Sequence, residues 1–314
     1  MIQVVGAEIA LMTEQWCIRV PLTGAEAVRR ALIDEGVFDP ALKVRRDGDS
    51  ILIPVTGPLE GAERCSFESN PARIELPRHE LVGGIAIMQD CDRAGAEQIL
   101  TSRPSLHTVV FAASEVAGEY RTREFEILAG KPTTRTEVIE YGHHFIVDLS
   151  RAYFSARLSS ERQRLLAQVQ CGESVLDMFA GVGPFAITLA ERVSFVTAAD
   201  LNPQAIELMI ENLARNRVNN VLPMLADARH LPDLLSWKFD RIVMNLPLSG
   251  TDFLAAAFTL CRAGGIIHFY VLVSAEGIHR DVIMDLGGEI VNERVVRSYS
   301  PEQWHAVYDI RARE

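Results

Sequence analysis

The chain has only five cysteines in 314 residues, Cys17, Cys65, Cys91, Cys171 and Cys261, and no two stand at C-x-x-C spacing. An odd, scattered set points to a reducing compartment and argues against a disulfide framework or a zinc site. No Pro-Cys or Thr-Cys pair occurs, so a cysteine nucleophile set beside a proline has no candidate, and each thiol reads as a small buried hydrophobe. Long apolar runs are missing too. The longest near the end, residues 266–273, has the length of a buried strand and falls far short of a membrane span. No basic segment precedes an apolar core at the N-terminus, so no signal peptide is expected. Positive charge is short: 31 Lys and Arg against 42 Asp and Glu leave a formal net charge of −11. That excludes a broad non-specific grip on polyanions but leaves room for a defined cationic patch. With 48% hydrophobic residues the chain can bury a large core, and its length allows two or three domains of a soluble, cytoplasmic protein.

What is there centres on Ser174-Val-Leu-Asp-Met-Phe-Ala-Gly-Val-Gly-Pro-Phe185. A short run of β-formers ends in Asp177, Gly181 and Gly183 permit a tight turn, and Pro184 suits the first turn of a helix. A strand, glycine turn and helix in this order lets the backbone approach a ligand and offers it unpaired N–H groups. The next unit, Phe195-Val-Thr-Ala-Ala-Asp200, ends in an acid where a βαβ fold holds a ribose hydroxyl pair. Two details argue against NAD: Ala186 occupies the region where G-x-G-x-x-G needs its third glycine, and Asp177 stands inside the turn, where a cofactor amine could meet it. Asp227 follows the apolar stretch 221–226, and the strand-like 239–244 runs into Asn245-Leu-Pro247.

Upstream, Cys17-Ile-Arg-Val20 reads as a strand, Thr23-Gly-Ala-Glu26 as a capping box, Gly36 as a helix stop and Asp47-Gly48 as a hairpin turn. Residues 56–77 are expected to be a linker. Residues 80–88, 108–112 and 145–148 look like strands, with a helical pattern from about Arg93 to Leu100. Residues 118–130 read as a strand with one charged face carrying Arg121 and Arg123, and Leu158-Ser159 as the cap of a helix whose first turn holds Glu161. The division expected is 1–66, a small α/β domain; 67–150, a second α/β module; and 151–314, an α/β domain that alternates strand and helix from Ser174 onward.

Acids at successive strand ends followed by Asn-x-Pro look like a class I, S-adenosylmethionine-dependent methyltransferase. More closely, Asp177-Met-Phe-Ala-Gly-Val-Gly-Pro-Phe185, Asp200-Leu-Asn-Pro203, Met244-Asn-Leu-Pro247 and Tyr153-Phe-Ser-Ala-Arg-Leu-Ser-Ser-Glu-Arg162 resemble the archaeal and eukaryotic tRNA (guanine37-N1)-methyltransferases, the Trm5 family. The resemblance implies a Rossmann-like methyltransferase sheet preceded by two smaller α/β modules, the first reading the tRNA elbow. Where the family has Ser-Pro-Arg-Leu this chain has Ser155-Ala-Arg-Leu158.

It implies S-adenosylmethionine as cofactor and tRNA as partner, bound at the anticodon loop and elbow by a monomer, with no metal. By the same resemblance Glu161 is the general base, Arg121 (with Arg123 as fallback) stabilises charge on O6, and Asn245 meets the base edge or the donor. Asp200 is expected on the ribose, Leu201, Asp227 and Ala228 around the adenine, and Asp177, Gly181 and Gly183 around the methionine end, with Tyr153 and Arg162 closing the pocket. Three alternatives stand beside this reading: a wyosine-pathway enzyme, either a second methylase of a tricyclic base or an aminocarboxypropyl transferase; a non-catalytic tRNA-binding module; and a small-molecule methyltransferase. The aminocarboxypropyl transferase pattern departs from Gly-Val-Gly-Pro-Phe and Asn-Leu-Pro, both present here. A small-molecule methyltransferase leaves the first 150 residues or so unexplained.

Overall fold

The computed structural model describes residues 12–70, 75–114, 118 and 120–313. The chain falls into two compact units, one ending at Glu75 and one beginning at Leu76.

The first unit is a four-stranded sheet with one helix: β1 (Met12–Pro21), α1 (Ala25–Asp34), β2 (Arg45–Asp47), β3 (Ser50–Val55) and β4 (Glu63–Glu68), in spatial order β2-β3-β1-β4. Alternation along β1 sends Val20 to one face, with Leu32 of α1, Ile53 and Val55, and Cys17 to the other, with Leu42, Leu52 and Phe67. Three expectations change here. Thr23 caps nothing, because Gly24 is the N-cap in a left-handed conformation, and Glu26 turns instead to Arg29 and Arg30. The hairpin pairs Asp47 with Ser50, so its turn residues are Gly48 and Asp49. The expected linker contains β4, and a boundary after residue 66 would cut a strand whose Phe67 pairs with Thr13.

The second unit holds a seven-stranded sheet, a four-stranded sheet and a hairpin. The four-stranded sheet runs β5-β6-β7-β8, from β5 (His79–Val82), β6 (Ile85–Met88), β7 (Thr108–Ala112) and β8 (Phe125–Gly130), with α2 (Arg93–Ser102) capped by Asp92. The stretch 80–88 is thus two strands, turned at Gly83-Gly84. Arg121 and Arg123 lie before β8 and not on a strand face; Arg121 has φ +53° in a turn whose amide bonds Gly118 O. Glu119 lies outside the described residues. A hairpin follows, β9 (Arg135–Glu140) and β10 (His143–Asp148).

The large sheet is built from α3 (Ser159–Gln168), β11 (Ser174–Asp177), α4 (Pro184–Ala190), β12 (Phe195–Asp200), α5 (Pro203–Arg215), β13 (Val221–Leu225), α6 (Leu231–Leu234), β14 (Phe239–Asn245), α7 (Leu254–Leu260), β15 (Cys261–Val273), α8 (Arg280–Asp285), β16 (Gly288–Ser300) and β17 (Gln303–Ala312). Its order is β13-β12-β11-β14-β15-β17-β16, parallel through β15 and antiparallel beyond it. This is a Rossmann-like sheet, as expected, with its last strand β17 running antiparallel to β15. No side chain caps α3; a 3-10 turn at Ala156–Leu158 leads into it. One core runs from Val82 and Val110 through Phe145 and Val147 to Val175, Phe185 and Val307. Asn212 of α5 bonds the Ile146 backbone at 2.7 and 3.1 Å and Val182 O at 3.0 Å. The second expected module therefore shares its interior with the methyltransferase sheet and has no boundary of its own at residue 150.

Candidate active site

In an open parallel sheet the ligand crevice opens beyond the C-terminal strand ends where the strand order reverses. Asp177, Asp200 and Asn245 are the last residues of the neighbouring strands β11, β12 and β14. A cavity of about 420 Å³ opens at this edge, inside the usual range for small-molecule sites of roughly 300–1,000 Å³. It is lined by Tyr153, Arg162, Gly181, Asp200, Leu201, Asp227, Ala228, Asn245 and Arg121, so nine of the twelve expected site residues converge there.

Asp200 accepts hydrogen bonds from the backbone N–H groups of Gly181 at 2.7 Å and Asn202 at 2.9 Å. Burial raises its pKa, and those amides with that of Leu201 pull part of the shift back. Gly181 sits at φ +56°, a left-handed turn that aims its amide at Asp200. Asp227 caps the short turn at Ala228–His230, and the ion pair with Arg229 at 2.6 Å lowers its pKa. Asn245 has a buried Oδ1 with no partner among the described residues, an acceptor left for a ligand. Arg121 lies over the Tyr153 ring at 5.0 Å, and its buried Nε also lacks a partner. A non-glycine residue in the left-handed region is uncommon, and such strain clusters at functional sites. Arg162 is 2% exposed, forked onto Glu140 at 2.7 and 2.9 Å and set against the rings of Phe154 and Phe185.

Three expected residues stand elsewhere. Gly183 does not line the cavity: it is the left-handed N-cap of α4, and a Cβ there would meet Met209 Cγ at 2.8 Å, so its bareness serves helix packing. Asp177 is wholly buried, neither carboxylate oxygen finds a partner of normal geometry, and burial raises its pKa to about 7. Glu161 points from α3 toward the large sheet. Its Oε2 accepts from Arg164 Nε at 2.8 Å and Tyr270 Oη at 3.1 Å, and its Oε1 is paired with Arg294. Arg123, the fallback, does not reach the cavity.

Sequence reasoning missed the group behind Glu161. Arg164 reaches Asp309 at 2.6 Å, and His268 Nδ1 lies 2.6 Å from the same carboxylate. Arg241 donates to His268 Nε2 at 2.7 Å, which leaves the ring proton on Nδ1 facing Asp309. No motif marks these residues, and the register that sets His268 opposite Asp309 on β15 and β17 gave no signal along the sequence. In the first unit, β1 and β4 bring ligand atoms of Cys17, Glu63 and Cys65 within 4.8 Å of one another, a proximity that linear spacing did not announce.

The donor set fits S-adenosylmethionine on the structure's own terms: a backbone-held carboxylate at the second strand tip, apolar walls at Leu201 and Ala228, and an unpaired amide oxygen at the fourth strand end. Comparison with known proteins agrees. Residues 136–295 match the TRM5/TYW2 methyltransferase domain and residues 17–63 the tRNA methyltransferase 5 N-terminal domain. The chain is 36% identical over 327 residues to tRNA (guanine(37)-N(1))-methyltransferase Trm5b of Pyrococcus abyssi, covering 94% of this chain and 98% of that one. The crystal structure of that Trm5b superposes with a TM-score of 0.77 at 35% identity, covering 96% of this chain and 100% of its own. A solved complex of aTrm5 with tRNALeu gives a TM-score of 0.72 at 27% identity, covering 94% and 99%. The tRNA(Phe) (4-demethylwyosine(37)-C(7)) aminocarboxypropyltransferase of Methanocaldococcus jannaschii is 29% identical but aligns with 74% of this chain, covering 97% of its own length.

Proposed function

Because the chain belongs to the TRM5/TYW2 methyltransferase family, we propose that it transfers the methyl group of S-adenosylmethionine to N1 of guanine 37 in tRNA. The observation that carries this reading is the convergence of Asp200, Asn245 and Arg121 on one cavity, in a chain alike along 94% of its length to a relative named for that reaction. The aminocarboxypropyl transferase, by contrast, has no counterpart for about a quarter of the chain.

When bound, the cofactor supplies a methyl group activated by its sulfonium. The chain's residues do the rest. Asp200 would hold the ribose hydroxyls while Leu201, Asp227 and Ala228 would surround the adenine. Guanine N1 carries a proton at neutral pH, so its lone pair is free only after that proton leaves and negative charge moves to O6. Glu161 takes the proton and Arg121 donates to O6, with the Asn245 Oδ1 accepting from the base edge. For Glu161 to reach N1, Arg294 must leave Oε1; Arg294 is 41% exposed at its side chain and can swing into solvent or onto the RNA. Positioning of nucleophile, methyl and sulfonium in line supplies much of the rate gain.

N1 lies on the pairing edge, so the target must be an unpaired anticodon-loop nucleotide turned out of its stack. The first unit contacts the tRNA elbow through exposed Arg45 and Arg46; Lys43 is already paired with Glu68 at 2.9 Å. We infer that the protein works in the cytoplasm as a monomer. Incubation with labelled cofactor and tRNA transcripts bearing guanine or adenine at position 37, followed by nucleoside digestion, tests the reading. The expected product is 1-methylguanosine from the guanine transcript alone. A digest without it, or one with label only on a tricyclic base, rules the reading out.

A further inference from the structure

Beside the donor cavity, and sharing Arg121, Tyr153, Leu158 and Asn245 with it, lies a small recess closed on its far side by Arg297, Tyr299 and His305. Arg297 and His305 face each other across the β16–β17 ladder. His305 is 2% exposed and its Nε2 has no partner among the described residues. The buried Nε atoms of Arg297 and Arg121 and the Oδ1 of Asn245 are likewise unmatched. Four unpaired polar groups around one recess are costly to hold without a ligand, since each buried unmade hydrogen bond is destabilising. The geometry points to this recess as the seat of the target purine, with Arg297 and His305 as residues that read the O6/N7 edge of guanine and reject adenine.

The chemistry of the set favours guanine. Guanine offers two acceptors on that edge, N7 and O6, and adenine replaces the second with the N6 amine, a donor. Arg297 can only donate, so adenine sets donor against donor. Asn245 stands on the other side as an acceptor, suited to the exocyclic amine that guanine carries and adenine lacks. Burial, with the charges of Arg297 and Arg121, lowers the His305 pKa to about 4, so the ring is neutral at physiological pH and adds no third cation. The ring of His305 lies 5.8 Å from that of Tyr270, whose hydroxyl bonds Glu161, so the edge-reading pair and the proposed base share a support. The recess holds about 20 Å³, room for a water and not a purine. Admitting the base therefore requires the 39%-exposed Tyr153 to swing out from under Arg121, which stays to face O6.

This inference rests on the methyl-transfer reading, and the test separates the two. Single-turnover methylation is measured for the unaltered protein, Arg297→Ala and Arg297→Lys on transcripts carrying guanine or 7-deazaguanine at position 37, with cofactor affinity measured alongside by calorimetry. On the guanine transcript Arg297→Ala is expected to lose about tenfold to a hundredfold, the size of one edge contact, while binding cofactor normally. On 7-deazaguanine, which lacks N7 but keeps O6, the unaltered protein is expected to lose activity and Arg297→Ala to lose less beyond that than it loses on guanine. Arg297→Lys, which keeps charge and bulk, is expected to lose less on guanine. Equal losses of Arg297→Ala on both transcripts, the mark of a phosphate contact or a folding defect, overturn the inference, as does no loss at all. If the unaltered protein methylates no transcript, the methyl-transfer reading falls and takes this inference with it.

Discussion

The parallel and antiparallel halves of the seven-stranded sheet use polar residues in different ways. In the parallel half, polar side chains at or just past the strand ends bond backbone: Asp200 the Gly181 and Asn202 amides, Asp227 the Arg229 amide, Asn202 the Gln204 amide. Where the antiparallel strand β17 joins, they bond one another in a chain that runs from Glu161 to its helix neighbour Arg164, then across long separations to Asp309, His268 and Arg241, which ends on Glu173 at 2.7 Å. Burial penalises the Asp309 carboxylate, but His268 and Arg164 outweigh that and hold its pKa far below the usual carboxylate range; burial drives His268 the other way, toward the neutral ring. The first arrangement builds a crevice for the donor. The second fixes Glu161, the proposed base.

The largest effect expected from this division is a split between binding and chemistry. Glu161→Gln should slow single-turnover methyl transfer by about a hundredfold to ten-thousandfold, with cofactor affinity nearly unchanged. Asp200→Asn should instead weaken cofactor binding by about tenfold, as expected for loss of a charged hydrogen-bond acceptor. If Glu161→Gln lowers affinity as much as rate, Glu161 belongs to the donor pocket and the division fails.

The next effect concerns pH. Asp177 has its folded pKa raised from 3.8 to about 7 by burial, so the protonated carboxyl favours the folded state. That stabilisation is fully present below about 4 and is lost as pH rises through about 7, a change on the order of 4 kcal/mol at most. Melting curves should therefore show the unaltered protein losing stability relative to Asp177→Asn across this window. Parallel curves would mean that the carboxylate finds a cation or donor inside the fold.

The smallest effect distinguishes the two glycines. Gly183→Ala, with φ +88° and Met209 in the way, should cost about 1–3 kcal/mol in urea unfolding with cofactor affinity intact. Loss of affinity exceeding the loss of stability would return Gly183 to the cofactor.

Much of the donor half was legible because its signals are local. Asp177, Asp200 and Asn245 each end an apolar run of strand length, and Gly181 follows the first, so the order of residues alone placed them at one sheet edge. The same logic overreached at Gly183 and Asp177: sequence fixes which residues sit in a turn, but the side facing the ligand depends on what packs behind, here Met209 and the buried sheet edge. The alternation of residues 118–130 put Arg121 on a strand face, but it stands in a left-handed turn, its amide bonded to Gly118 O before β8 begins.

By itself the sequence determined the Rossmann-like class, the order of its strands along the chain and the three polar residues at their tips, since apolar runs, glycine turns and prolines act over a few residues. Only the tertiary structure decided that the second module shares one core with the methyltransferase sheet, that Glu161 is pinned by Arg164, Tyr270 and Arg294, and that Arg297 meets His305. Those contacts join residues far apart in the chain through strand register and burial, and neither has a period that can be read along the sequence.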